Sequence, residues 1–441
     1  MKKQIYKILF FTAVVGTLFS CDVEEFSDLN NPEVDAFGEN LTRGDLQDLI
    51  GGIFYSSRAT LGTYYDDCGV IGREYWRFSS SDPRFTSDLL GGENAILDNN
   101  TFYITNPWAS RYRTVKNANL ILGFLEGQDV SAQFSDAEVN ATKGFLQTFI
   151  AHELLLNLNL TYENGIRTDV ADADNLGPIV ANTQALANIR AILESGANNL
   201  GNGGAAFPFP VTSGFTGFDT PSSFLSANQA LAARVAAYQG DMAAARSFLA
   251  GSFLSLDGAA LNTGIYHTFS LAAQDLPNPM FFPMNATTAG ARIMEPSFLT
   301  DAEANDTRLS KVSERDDEIT LDGLTGNFDV FIYPSQEAPI AIIRNEELIL
   351  LYAEANISSN PGEAVNALNI IRDAAGLDPY TGGTDTASLT DEMLNQRRYS
   401  LYAEGHRWID MRRYGRLDQL PLARPEDDVF TQFPVPLTEG N

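Results

Sequence analysis

Arg344-Asn345-Glu346-Glu347-Leu348-Ile349-Leu350-Leu351-Tyr352-Ala353-Glu354-Ala355, then Asn360-Pro361-Gly362-Glu363-Ala364, then Ala367-Leu368-Asn369-Ile370-Ile371-Arg372 is the stretch that decides the fold. It reads as helix, Asn-Pro-Gly turn, helix, and the hairpin spans Glu346 to Gly376. The same plan stands upstream in Leu225 to Leu254, where Gln239-Gly240-Asp241 makes the turn. Small Ala233 before that turn and Ala245 after it let the two helices approach, and Gly240 tolerates a positive φ.

Outward from these hairpins the pattern stays helical. Leu41 to Leu61 places Leu41, Leu46, Leu49, Ile50 and Ile53 on one face, with Thr42 and Asp45 as capping residues. Trp108 to Leu125 continues the pattern, and Phe145 to Leu160 is apolar almost all round, which marks a central helix. Ala185 to Leu193 is a shorter helix, and Gly201 to Phe218 an irregular, aromatic connection. The two hairpins resemble tetratricopeptide units, whose period is about 34 residues. The expected fold is therefore mainly α, a single helical domain over residues 41–441 with these hairpins (225–254 and 346–376) as scaffold. Two long segments, 62–103 and 256–343, have poor helical periodicity and many aromatics. Ordinary loops are much shorter, so these are read as loop-rich segments forming the ligand face.

The N-terminus tells where the chain works. Lys2, Lys3 and Lys7 precede an apolar run from Ile8 to Val15 with Leu18 and Phe19, too short for an ordinary spanning helix and suited to an export signal over residues 1–20. Leu18-Phe19-Ser20-Cys21 resembles the lipobox of bacterial lipoproteins, so Cys21 is the expected lipidation site and residues 21–40 a lipid-anchored tether. Asp22, Glu24 and Glu25 follow the cysteine. Acidic residues there resemble a surface-export signal in one group of Gram-negative bacteria and, in others, an inner-membrane retention code. The net charge of −28 deepens to −31 when the three signal-segment lysines are removed. No basic stripe exists to neutralise phosphates, so nucleic acid is excluded as a partner. Cys68 is the one other cysteine, a buried small hydrophobe by its surroundings.

The C-terminal quarter carries a family resemblance. The 344–355 and 367–372 runs, Gly376-Leu377, Arg397-Arg398, Leu401-Tyr402-Ala403-Glu404-Gly405-His406-Arg407-Trp408-Ile409-Asp410-Met411-Arg412-Arg413, and Phe433-Pro434-Val435-Pro436 with Glu439 resemble the SusD/RagB signature in order and spacing. Upstream, Trp108, Tyr112, Asn117-Ala118-Asn119 and Asp306-Thr307-Arg308 also fit. Gln396-Arg397 stands where the family has Glu-Arg. The resemblance implies a SusD-like, surface-exposed outer-membrane lipoprotein that captures nutrient for a SusC-like TonB-dependent transporter. Its ligand would be a glycan, or peptide in some members; a transporter lid with no soluble ligand is a third reading. Neither catalysis nor a cofactor is expected.

The residues agree with a binding role. There is no Gly-x-Ser-x-Gly elbow and no Cys-x-x-Cys pair, and His152-Glu153 begins a zinc-helix motif that Leu156 breaks. Asp169, Asp172 and Asp174 fail the EF-hand order at Leu176, so no metal is expected. Glu404, Arg407 and Asp410, three apart, would line one side of a helix as structural acid, guanidinium and acid. Sugar capture needs flat rings flanked by hydrogen-bonding arms. Arg73-Glu74-Tyr75-Trp76-Arg77-Phe78 offers both, with Trp76 as the leading platform, Arg73 and Arg84 as polar arms, and Tyr75 and Phe78 beside it. Tyr266 and Phe282 join the candidates from the second long segment, with Tyr64, Tyr65, Phe281 and Asn285 behind them.

Overall fold

The computed structural model describes residues 40–92, 95–172 and 174–439. The signal segment, Cys21 and the tether as far as residue 39 lie outside the described residues. Helix α1 (Arg43–Arg58) opens on a capping box: the Thr42 hydroxyl accepts from the Asp45 amide at 3.2 Å, and the Asp45 carboxylate accepts from the Thr42 amide at 3.0 Å. Such a cap contributes about 1 kcal/mol.

Helix α2 (Leu61–Ile71) corrects the reading of 62–103 as loop-rich from its start. Every α2 residue but Thr63 is buried, Asp66 and Asp67 included, so the helix has no polar face from which periodicity could be read. The short strand β1 (Tyr75–Phe78) follows, then α3 (Phe102–Gly127), α4 (Asp136–Thr161), the two-residue strands β2 (Ile166–Arg167) and β3 (Ile179–Val180), and α5 (Asn182–Gly201). Helix α4 is the expected central element: from Leu154 to Thr161 every residue is buried, and it packs on both α3 and α5.

Helices α6 (Pro221–Tyr238) and α7 (Met242–Gly251) form the first hairpin. Gly240 adopts φ +73° in its turn, and Asp241 caps α7 through a 3.0 Å bond from the Ala244 amide. The second long segment then supplies β4 (Gly264–His267), β5 (Ala291–Met294), the single turn α8 (Ser297–Thr300), β6 (Val312–Leu321), β7 (Leu324–Val330) and β8 (Ile340–Arg344). This segment is therefore sheet as well as loop. One antiparallel sheet has the order β1-β5-β7-β6, and β4 pairs with β8 in a separate ribbon. The second hairpin is α9 (Asn345–Asn356) with α10 (Pro361–Ala374), and α11 (Thr386–Ser400) and α12 (Arg407–Arg413) complete the mainly helical chain.

Buried ion pairs lock the hairpins together. Arg234 on α6 holds Glu347 on α9 in a two-pronged bond of 2.7 and 2.6 Å and also donates to the Ile342 carbonyl at 2.9 Å. Arg397 on α11 donates to Asp410 on α12 at 2.7 Å. The expected helical row of Glu404, Arg407 and Asp410 is corrected. Glu404 lies in a turn before α12, between Ala403 (φ 59°) and Gly405 (φ 78°), and pairs with Arg344 instead. Among the described residues Arg407 makes no ion pair.

Candidate functional site

Tyr266 stands where β4 changes register against β8, between Ile265 and Tyr266. Along β4 burial alternates, Ile265 and His267 facing the core and Tyr266 the other side, so a half-buried phenol ring stands out of the ribbon. Its hydroxyl donates to the Asn262 carbonyl at 2.6 Å, which fixes the ring's tilt. Clefts of about 600 Å³ and 590 Å³ open at Tyr266, sharing Asn262, Glu337 and Pro339 as well. Tyr333 and Pro334 add apolar surface to the first, and Phe218 and Phe269 to the second. Gly214 belongs to the second wall, and a methyl group there would meet the Tyr266 carbonyl at 2.1 Å, so only glycine lets that wall close on β4.

The polar floor is neutralised from within. Arg344 donates to Glu404 at 2.7 and 3.1 Å and also pairs with Glu346, while Lys311 donates to the Tyr399 carbonyl at 2.9 Å. Burial pulls the Lys311 ammonium below its ordinary range. Burial opposes ionisation of Glu346, but Arg344 outweighs it and holds the carboxyl below its usual value. The rim keeps exposed hydroxyl, amide and carboxylate groups from Ser335, Asn262 and Glu337. The half-buried Tyr266 ring beside the exposed Asn262 and Glu337 side chains suits a ligand with alternating C–H and O–H faces.

The structure sends the other sequence candidates elsewhere. Arg73, Tyr75, Trp76 and Phe78 are corrected as presented ligand contacts, because β1 is covered on both faces. Trp76 is 3% exposed and lies parallel to Phe78 with ring centroids 6.3 Å apart. Tyr75 donates to the Tyr65 carbonyl at 2.9 Å, and Arg73 to the Val70 and Leu90 carbonyls at 3.1 and 3.0 Å. Phe282 is engaged by the guanidinium groups of Arg77 and Arg292, 4.5 and 4.6 Å from its ring centre. Arg84 is exposed but held by Asp82 at 2.8 Å through both Nε and Nη2. Tyr64 and Tyr65 are buried in α2, and Asn285 braces a turn through Asp316 and Asp329. Phe281 is half-buried. Of the seven ligand candidates, Tyr266 lines this cleft; the Tyr75 hydroxyl instead reaches Asp66 at 3.1 Å, a carboxylate that Arg292, stacked on Phe282, grips at 2.7 and 2.9 Å. Tyr333, Phe218 and Glu337 were missed; the Tyr333-Pro334 pair in a long segment was the available signal.

Trp76→Phe is expected to cost about 1–2 kcal/mol by leaving a partial cavity, with ligand affinity unchanged. Urea denaturation and a binding isotherm on the same sample check both halves.

The comparisons with known proteins bear on the wall that runs from Pro334 into α9. Residues 334–433 match the SusD family model. The C-terminal quarter of the chain is thus similar to the SusD family. The SusD-like protein P38 of Formosa agariphila is 38% identical over 92 residues, 19% of this chain and 18% of that relative, so the match spans under a fifth of the relative's length. A SusD superfamily protein from Parabacteroides distasonis shares the fold with a TM-score of 0.68 at 16% identity, over 91% of this chain and 97% of that one. A laminarin-binding SusD-like protein does so with a TM-score of 0.63 at 15% identity, over 91% and 97%. At such identities the structural likeness is one of fold. The SusD-family match includes Glu346, Glu404 and Arg344, so family-matched residues form the floor of the Tyr266 cleft.

Proposed function

We propose that this chain is a cell-surface glycan-binding lipoprotein of the SusD family, anchored through Cys21, that captures saccharide in the Tyr266 cleft for a SusC-like TonB-dependent transporter in the outer membrane. The observation that carries the reading is the outward-turned Tyr266 ring, flanked by Tyr333, Phe218 and Pro339 and rimmed by Asn262 and Glu337. The names of the laminarin-binding and carbohydrate-binding fold neighbours support the ligand class. The internally neutralised floor favours a neutral glycan over a charged one, since no unpaired charge has to be satisfied there. The lipobox-like Leu18-Phe19-Ser20-Cys21 supports the anchor, and among the described residues no helix is long and apolar enough to cross a membrane. The role is binding without catalysis.

The test is affinity electrophoresis and calorimetry of the purified chain against laminarin, other neutral polysaccharides, uronic-acid polymers and a peptide digest. Saturable binding to a neutral glycan is expected. Binding to the peptide digest alone, or to nothing, overturns the glycan reading.

A further inference from the structure

Away from the Tyr266 cleft, α11, α12 and the turn after α12 enclose a chamber of about 100 Å³ lined by Arg73, Glu74, Arg398, Tyr402, Arg407 and Gln419, among others. It opens toward a vestibule of about 470 Å³ that shares Arg398, Arg407 and Gln419 and adds Arg416. The chamber has room for several water molecules or one small polyatomic group, and is too small for a sugar ring with its hydroxyls. Its charges are unevenly matched. Arg73 is consumed by backbone carbonyls, and Arg398 pairs with Asp301 at 2.9 Å and donates to the Ser297 hydroxyl at 2.6 Å. Arg416 pairs with Asp391 at 2.5 Å. Arg407 has neither hydrogen bond nor ion pair among the described residues.

The two carboxylates whose charges act on it, Glu74 and Asp410, are not bonded to it. Asp410 is taken by Arg397 and Arg413 at 2.7 and 3.3 Å. Glu74 accepts from the Ala403 amide at 2.9 Å through one oxygen, while its other oxygen is buried with no partner. Burial and the neighbouring Arg398 pull the Arg407 guanidinium down to about 10, so it still carries its charge at neutral pH. Arg407 is half-buried, and it presents this unpaired charge to both the chamber and the vestibule. Guanidinium groups favour planar, two-pronged recognition of carboxylate and sulfate oxygens.

We propose that this chamber binds a small oxyanion, a carboxylate or sulfate group, which Arg407 holds in a two-pronged bond and Gln419 closes from the mouth. The occupant is a free anion or the acidic substituent of a saccharide entering from the vestibule. In a chain of net charge −28, this is a local reversal of the global field.

The experiment is calorimetry of the full chain and of Arg407→Gln with sodium sulfate, sodium acetate, glucuronic acid and glucose 6-sulfate, with glucose as the neutral control, at matched ionic strength. Sulfate also stabilises proteins by exclusion from their surface, but that effect does not saturate, so the isotherm separates the two. Saturable binding of at least one of the four acids, weakened at least tenfold in Arg407→Gln, is expected. Binding of the inorganic or acetate ion identifies a free-anion site; binding confined to the sugar acids identifies a substituent pocket. Selenate soaked into crystals of the unaltered chain should give an anomalous peak within hydrogen-bond reach of Arg407, a readout that does not depend on a variant folding. No saturable binding or equal binding in the variant overturns the proposal, as does selenate only at other places when sulfate or acetate binds saturably.

Discussion

Glu347→Ala is expected to destabilise the chain by about 3–5 kcal/mol, the cost of stranding a buried cation. Arg234 is almost fully buried, and Glu347 supplies both oxygens of its two-pronged bond. Without them the guanidinium keeps the Ile342 carbonyl alone. The loss is concentrated where α6 meets α9, so both hairpins lose their shared fixture. The pair also has a pH signature. Burial works against ionisation of Glu347, but Arg234 overcomes it and holds the carboxyl at about 2, below its ordinary 4.5. A folded-state value below the unfolded one gives stability that is present above about pH 4.5 and lost as pH falls toward 2. Urea denaturation at pH 7 checks the first statement, and a loss below 1 kcal/mol contradicts it. Replacing both partners, Arg234→Met with Glu347→Leu, should recover much of the loss, because no buried charge is then left alone.

Tyr266→Ala is expected to weaken glycan binding at least tenfold, about 1.4 kcal/mol, with the midpoint of thermal unfolding little changed. The ring is half-buried, and among the described residues its hydroxyl bonds to the Asn262 carbonyl alone, so its removal opens no large core cavity. Tyr266→Phe should retain most of the affinity if the ring face is the contact. Calorimetry on the two variants distinguishes ring from hydroxyl; equal affinity in Tyr266→Ala and the unaltered chain contradicts the site.

A buried acid gives a different pH response. Burial pushes Glu74 up to about 8 from 4.5, with the Ala403 amide and Arg407 pulling the other way. A folded-state value above the unfolded one means that this group's contribution is complete below about pH 4.5 and is lost as pH rises through about 8. The thermal midpoint should therefore fall between about pH 5 and 8, and Glu74→Gln should flatten that slope. An unchanged slope in the variant contradicts the assignment.

The hairpins were legible because their helices are amphipathic and their turns carry Gly240 or Asn360-Pro361-Gly362. Thr42 and Asp45 could be read as a cap for the same local reason. Helix α2 was hidden because burial on all sides, with Asp66 absorbed by Arg292, erases the apolar–polar contrast that periodicity needs. Trp76 misled for a related reason: a strand with alternating arginine and ring residues looks one-sided, yet β1 is covered on both faces, and Asp66 lies 3.4 Å from the Arg77 guanidinium. Tyr266 was within reach as an aromatic in a long segment, but which face of β4 is covered depends on its pairing with β8, far along the chain, which no local pattern encodes. Partners distant in sequence, such as Phe218 and Tyr266 at the second cleft, meet only once the chain is folded.

The most direct measurement is a crystal structure of the chain with the glycan selected by the binding screen. Sugar density against the Tyr266 ring, with hydroxyls within reach of Asn262 and Glu337, is the expected result. Well-defined sugar bound elsewhere, with the Tyr266 cleft holding none, contradicts the assignment of this cleft.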